Sequence, residues 1–148
     1  MSKIYAFLII LPLIAMLFVK TMGFYEFDTK QRYIKNAVDA AAHKVMITGV
    51  FTTGDKEELI NKLKKLADFR SENLVLEWGV TGPEGVIPPL SPYTPGNILD
   101  RGYIFCIKVQ SEGESTLSKI SGGNTNEAGK LYYRAKALCR IEKRQAVL

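Results

Sequence analysis

The stretch KIYAFLIILPLIAMLFVKTMG, residues 3–23, decides the fold. Within it, residues 4–19 are sixteen uncharged and mostly large apolar residues between Lys3 and Lys20. As a helix they extend about 24 Å, and residues 20–25 lengthen the span toward the ~30 Å of a hydrocarbon core. The stretch therefore predicts a retained single-pass helix. A cleaved signal peptide is the alternative, although no small-x-small cleavage pattern follows the apolar run.

The apolar pattern continues beyond this stretch as one face of a helix. Its members recur at steps of three and four residues, with Gln31 as the one polar member: Phe24, Phe27, Ile34, Val38, Ala41 and Val45. Charged side chains lie off this face. We therefore predict one helix over residues 3–48 that ends at Gly49. Its first half is apolar all round, so it needs lipid or further copies of itself.

The remaining residues, 49–148, contain the pattern of a second, short helix. Asp55 and Glu58 indicate a capping box at its start. Its apolar stripe consists of Leu59, Leu63 and Leu66.

Alternation and β-forming residues predict three strands, over residues 74–78, 103–109 and 131–141. We expect an antiparallel sheet that buries one face against the amphipathic half of the first helix. Five of the six prolines fall within residues 83–95, which predicts an irregular loop, with a ligand for a peptide-binding domain as the alternative.

The predicted fold is therefore α+β. A long N-terminal helix, hydrophobic and then amphipathic, packs on a small antiparallel sheet with one extra short helix. The predicted divisions of the chain are residues 1–23, 24–48 and 49–148.

Composition and charge exclude several classes of protein. The 148 residues suffice for about one domain, and 20 Lys and Arg against 15 Asp and Glu give a net charge of +5. This mild excess excludes a dedicated polyanion-binding protein. One His and two Cys exclude a zinc cluster, a haem pair and a dense disulfide scaffold.

Two motifs that invite a catalytic interpretation fail on inspection. Residues 123–130 resemble a phosphate-binding loop, but five residues rather than four separate its glycines, and Leu131 stands where a Ser or Thr is required. His43 follows Asp39 by four residues on the predicted helix, but no nucleophile can be assigned to it. We predict no enzymatic activity, no cofactor and no metal site.

Cys106 and Cys139 lie on strands that are expected to pair, and outside the cytosol they are a candidate disulfide. Strand alternation argues against the bond. It places Cys106 on the outer face with Lys108, and Cys139 on the core face, so the two thiols could meet only across a bulge or with a different core assignment.

The last predicted strand carries a basic patch, Arg134, Lys136 and Arg140, on its outer face beside Tyr132 and Leu138. The patch is either a solvated face or an electrostatic contact with an acidic neighbour in an assembly. Three charges are too few to predict nucleic-acid binding.

The layout of the chain resembles the pilin-like subunits of the type IV filament superfamily. Residues 33–49, YIKNAVDAAAHKVMITG, are also similar to the Ala-rich stretch after the membrane segment of TadE-like pseudopilins and related short proteins of Gram-positive bacteria. The likeness in layout covers the whole chain, and the likeness in sequence is confined to residues 1–60.

The resemblance implies a structural subunit of an extracellular filament. The chain would be a single-pass membrane protein before assembly, would use the inner-membrane assembly machinery, and would then form a helical homopolymer. The implied assembly helix presents Ile4, Phe7, Leu8, Leu11, Ile14, Phe18, Phe24, Phe27, Ile34, Val38 and Val45. The C-terminal part of this set, from Phe24 to Val45, would be shared between the domain's own sheet and neighbouring helices.

A second hypothesis needs no filament. The chain would be a membrane-anchored accessory protein of a secretion or conjugation apparatus, with a partner-binding domain outside the cytoplasm. The resemblance implies this outside location, whereas Lys20, Lys30, Arg32 and Lys35 outnumber Lys3 and favour the cytoplasm by the positive-inside rule.

Overall fold

The computed structural model describes residues 2–81, 89–113 and 131–142. These residues form a long helix, a shorter helix and a four-stranded antiparallel sheet, which confirms the predicted α+β fold. Residues 123–130, whose likeness to a phosphate-binding loop fails on sequence, lie outside the described residues.

Helix α1, Ser2–Thr48, is 47 residues long and contains Pro12. It ends where the sequence predicts: Gly49 has a φ of 73°, and its N–H donates to Val45 O at 2.7 Å. This left-handed conformation has no steric cost for glycine, so it stops the helix without strain.

Helix α2, Thr53–Lys64, begins three residues earlier than the predicted capping box implies. Thr52 is the N-cap, and its hydroxyl accepts from Asp55 N–H at 3.1 Å, while the Asp55 carboxylate accepts from Thr52 N–H at 2.9 Å. Glu58 instead pairs with Lys62 at 2.6 Å. The helix buries Leu59, Ile60 and Leu63, whereas Leu66 follows its end and is partly buried.

The sheet has the strand order β2-β1-β3-β4. Its strands are β1 (Leu74–Val80), β2 (Ser91–Pro92), β3 (Tyr103–Gly113) and β4 (Leu131–Arg140), and a 3-10 turn, Ser71–Asn73, precedes β1. The three predicted strands are confirmed. Strand β2 was not predicted: the proline-rich segment contributes two residues that pair with Glu77 and Trp78 of β1.

The core lies between one face of the sheet and the second half of α1. Ile34, Val38, Ala42 and Val45 are buried from the helix, and Phe105, Ile107 and Ala137 are among the sheet residues that meet them. Phe27 stacks on Tyr133 with ring centroids 4.7 Å apart. Phe24 does not join this core, because it is 59% exposed. The stripe that packs on the sheet therefore begins one turn later than predicted.

The two cysteines occupy opposite faces of the sheet, as strand alternation predicts. Cys139 pairs in register with Phe105 on the core face, and Cys106 pairs with Leu138 on the outer face. Both thiols are free in the structure. Cys106 is nevertheless fully buried, which alternation alone does not predict for an outer-face residue.

Candidate assembly surface

The first half of α1 has no covering from the rest of the described chain. Between Tyr5 and Val19 the structure describes twelve large apolar side chains, and each is 43–70% exposed. Met22, Phe24 and Tyr25 continue the same exposed surface. We call the exposed apolar side chains of residues 5–25 the assembly surface.

The assembly surface surrounds the helix. The predicted residues Phe7, Leu8, Leu11, Ile14 and Phe18 are exposed, but so are Ile9, Leu13 and Met16, which helical spacing places on other faces. The side chain of Ile4 lies outside the described residues. This all-round exposure agrees with the expectation that the first half of the helix is apolar on every side, and the residues named for the assembly helix are one stripe of it.

The lower members of the predicted assembly helix belong to the fold instead. Ile34, Val38 and Val45 have no exposed surface, and Phe27 packs against Tyr133. The domain's own sheet covers Ile34, Val38 and Val45 completely, which corrects the expectation that neighbouring helices share them. Phe27 is only partly buried and Phe24 is exposed, so for these two the expectation stays a prediction.

Polar groups at the end of the assembly surface are satisfied within the helix. The Thr21 hydroxyl donates to Leu17 O at 2.9 Å, so this group needs no water. The next turns carry ion pairs at i,i+4 spacing, with Lys30 2.7 Å from Glu26 and Arg32 2.9 Å from Asp28. The hydrogen bond with Glu26 raises the pKa of Lys30.

By length and composition, α1 is able to cross a membrane. It is the one helix of the described residues with this property, and its most apolar window has a mean hydropathy of 2.2. Only 6% of that window is buried, which distinguishes it from the core helix of a soluble protein. A signal sequence near an N-terminus has the same length and composition.

The predicted basic patch lies on β4, the edge strand of the sheet. Arg134, Lys136 and Arg140 are exposed at alternate positions, and the Arg134 guanidinium lies 5.4 Å from the ring centre of Tyr132. Lys108 on β3 is 2.6 Å from Glu77 on β1, and this contact raises the pKa of Lys108. The three predicted cations therefore share the outer face of β4.

The remaining polar candidates from the sequence are His43 and Asp39 on α1. His43 is exposed on α1, and the Asp39 carboxylate accepts a hydrogen bond from Lys35 rather than orienting the imidazole. Within residues 2–81, 89–113 and 131–142, no group of three or more His, Cys, Asp and Glu residues could hold a metal ion.

Helices α1 and α2 are joined by an ion pair beside a small groove. Lys44 pairs with Asp55 at the start of α2, and the groove is lined by Ala37, Ala40 and Ala41 of α1. Burial favours a higher pKa for Asp55, but hydrogen bonds from Lys44 and Thr52 outweigh it and lower the pKa. The pair therefore holds α2 against α1 and contributes no reactive group.

The assembly surface is consequently the feature of this chain that most needs a functional explanation. Comparison of the chain with protein-family models, with curated proteins and with solved structures found no match.

Proposed function

We propose that this chain is the structural subunit of a filament, assembled by packing of its N-terminal helices and anchored in a membrane by the same helices before assembly. The observation that carries the proposal is the assembly surface. A folded domain is attached to a helix whose first half exposes apolar side chains in every direction.

The size of this surface supports the proposal energetically. Full burial of one large apolar side chain contributes about 1.5–3 kcal/mol, and the assembly surface has twelve such side chains between Tyr5 and Val19 alone. Even half of that contribution, roughly 9–18 kcal/mol, is as large as the 5–15 kcal/mol net stability of a typical domain. Water is therefore not the working environment of this segment, which lies in lipid or among other helices.

The separation of the two halves of α1 also supports a filament. The second half is fixed to the sheet by Ile34, Val38 and Val45, so we expect the domain to fold without the assembly surface. Many copies could bring their assembly surfaces together while each domain keeps its own core and forms the outer surface. The resemblance to pilin-like subunits agrees with this layout.

The first test is electron microscopy of material sheared from cells that produce the chain. We expect filaments, and mass spectrometry of the same fraction should find this chain as their main protein, with its N-terminal residues present. Absence of the chain from all sheared fractions, together with its recovery as a monomer from detergent-extracted membranes, would contradict the filament.

Two substitutions test the assembly surface itself. Leu8→Asp and Ile14→Asp each place a charge where a neighbouring helix would pack, so we expect filaments to be lost while the domain still folds. Ile98→Asp is the matched control, because Ile98 is an exposed apolar residue of the domain. Normal filaments from either helix variant would show that the assembly surface is not the contact.

A membrane-anchored accessory protein is the second candidate. The all-round exposure of the helix and the internally bonded Thr21 hydroxyl suit a lipid environment without any neighbouring copy. The chain would then remain in the membrane fraction, and a partner of the secretion or conjugation apparatus would bind the domain. Shearing separates the two candidates, since it releases filaments but leaves anchored monomers behind.

A further inference from the structure

Among residues 2–81, 89–113 and 131–142, strand β4 forms one edge of the sheet along ten residues. In antiparallel pairing, alternate residues direct their N–H and C=O groups toward the partner strand. Ile141 N–H donates to Tyr103 O at 2.8 Å, and Gly102 N–H donates to Ile141 O at 2.9 Å. Odd-numbered residues of this segment therefore pair with β3, and even-numbered residues direct their backbone groups outward.

Side chains of α1 occupy these outward positions. The Gln31 carboxamide accepts a hydrogen bond from Arg134 N–H at 3.2 Å and donates one to Arg134 O. One turn later, Lys35 Nζ donates to Lys136 O at 3.0 Å. Gln31 thus makes the pair of hydrogen bonds that a residue of an added strand would make with Arg134.

The spacing of the two elements explains why successive helical turns reach successive positions of the edge. Four residues of a helix rise about 6 Å, and two residues of a strand rise about 6.8 Å. Gln31 and Lys35 are four residues apart, and their targets Arg134 and Lys136 are two residues apart. Helix α1 and strand β4 run in the same direction here, because the earlier residue Gln31 contacts Arg134 and the later residue Lys35 contacts Lys136.

Packing alone does not account for a glutamine at this position. Gln31 is the polar member of an otherwise apolar stripe between Phe27 and Ile34, and it is only partly buried at the rim of the core. Lys35 is itself held by Asp39, one turn further along α1. The opposite edge of the sheet is closed differently: Pro92 of β2 has no N–H to offer to a further strand.

We propose that Gln31, supported by Lys35, closes the β4 edge and prevents two copies of this chain from pairing through their sheets. Unpaired strand edges are ready sites for association between chains. Protection is most needed where copies are concentrated, as in a filament or in the plane of a membrane. The inference does not depend on which of these two environments the chain occupies.

The experiment compares the full chain in detergent with its Gln31→Leu variant, with Asn36→Leu as the matched control on an exposed position of the same helix. Hydrogen exchange measures how well the Arg134 amide hydrogen is protected, and sedimentation measures the oligomeric state. We expect Gln31→Leu to add an association step. In the monomeric variant, the Arg134 amide hydrogen should exchange roughly fivefold faster than in the wild type. Once the variant associates, this amide should be protected again. Asn36→Leu should match the wild type in both measurements.

A second variant identifies the contact. Residue 136 directs its N–H outward, so Lys136→Pro removes an edge donor without removing a bond to β3. The double variant Gln31→Leu with Lys136→Pro should therefore be no more associated than the wild type. Association that persists in the double variant would overturn the proposal, and so would unchanged Arg134 exchange and sedimentation in Gln31→Leu. If leucine is not tolerated at position 31, Gln31→Ala, with its smaller side chain, should likewise speed Arg134 amide exchange and add association.

Discussion

At the scale of single residues, burial controls the chemistry of the two cysteines. Burial raises the pKa of Cys139 to about 11 and also raises the pKa of Cys106, because a thiolate is poorly solvated away from water. The thiolate is the reactive form. Neither cysteine is therefore poised for redox or nucleophilic chemistry in the folded chain.

We expect iodoacetamide at pH 8 to alkylate Cys139 of the folded chain at least a hundredfold more slowly, to order of magnitude, than an unperturbed thiol. A cysteine introduced by Leu138→Cys is the control, since Leu138 is an exposed neighbour on the same strand. Mass spectrometry should find modification of Cys106 and Cys139 only after unfolding in urea. Rapid labelling of either native thiol in the folded chain would contradict the burial.

Asp55 is the basis of a second prediction at the residue scale, on how the stability of the fold depends on pH. Burial alone would raise the pKa of Asp55, but hydrogen bonds from Lys44 and Thr52 outweigh burial, so the pKa of the folded state lies below the ordinary value of 3.8. A lowered pKa means that the carboxylate stabilises the fold fully above about pH 4 and loses this contribution as the pH falls through the folded pKa.

The difference in unfolding free energy between the wild type and Asp55→Asn should thus be constant from pH 5 to 7 and shrink below pH 4. Urea titrations at each pH measure this difference. Other carboxylates titrate in both proteins, so the comparison isolates Asp55. A difference that stays constant down to pH 2 would show that the Lys44 and Thr52 contacts do not favour the ionised form.

At the scale of elements, the sequence predicts what depends on local pattern. The apolar run and Gly49 define α1 to within one residue, and alternation locates the three long strands. The sequence does not predict strand β2, because its two residues are extended and paired only through their contact with β1. The start of α2 was misplaced because Asp55 serves at the third helical position of a capping box rather than as the cap. The exposure of Phe24 depends on how far the sheet reaches, which no local pattern encodes.

The assembly surface was predictable in position but not in extent. The uncharged run located it, whereas the burial of Ile34, Val38 and Val45 required the tertiary structure. Gln31 stood out in the sequence as the polar member of an apolar stripe. Its contact with Arg134 joins residues 103 positions apart, so the reason for the exception is visible only in the fold.

The packing of α1 on the sheet gives a prediction about the division of the chain. Residues 24–148 retain the buried helix face, so we expect this fragment to be soluble, monomeric and cooperative in urea unfolding. Residues 49–148 lack Ile34, Val38 and Val45, each contributing about 1.5–3 kcal/mol to a domain whose stability is of the order of 5–15 kcal/mol. This shorter fragment should show no cooperative transition. A cooperative transition would mean that the sheet and α2 form a domain without α1.

At the scale of the whole molecule, the two halves of α1 differ in what covers them. The ion pairs of residues 26–39 lie along the part of α1 that packs on the sheet. Before Glu26, the assembly surface has no partner within the described chain. What surrounds the assembly surface therefore decides between a filament and a membrane anchor.

A spin label at Ile9→Cys reports those surroundings directly, because Ile9 is 70% exposed on the helix, whereas the native thiols are buried at Cys106 and partly buried at Cys139. Packed helices lie about 8–10 Å apart, so labels on neighbouring copies of a filament should broaden each other's electron paramagnetic resonance spectrum. Dilution with unlabelled chain should remove the broadening, and a label at Glu57→Cys, on the exposed side of α2, should broaden less. A sharp spectrum of the label at residue 9, with high oxygen accessibility in cell-derived material, would place lipid around the helix. That outcome is expected for an anchored monomer and would contradict the filament.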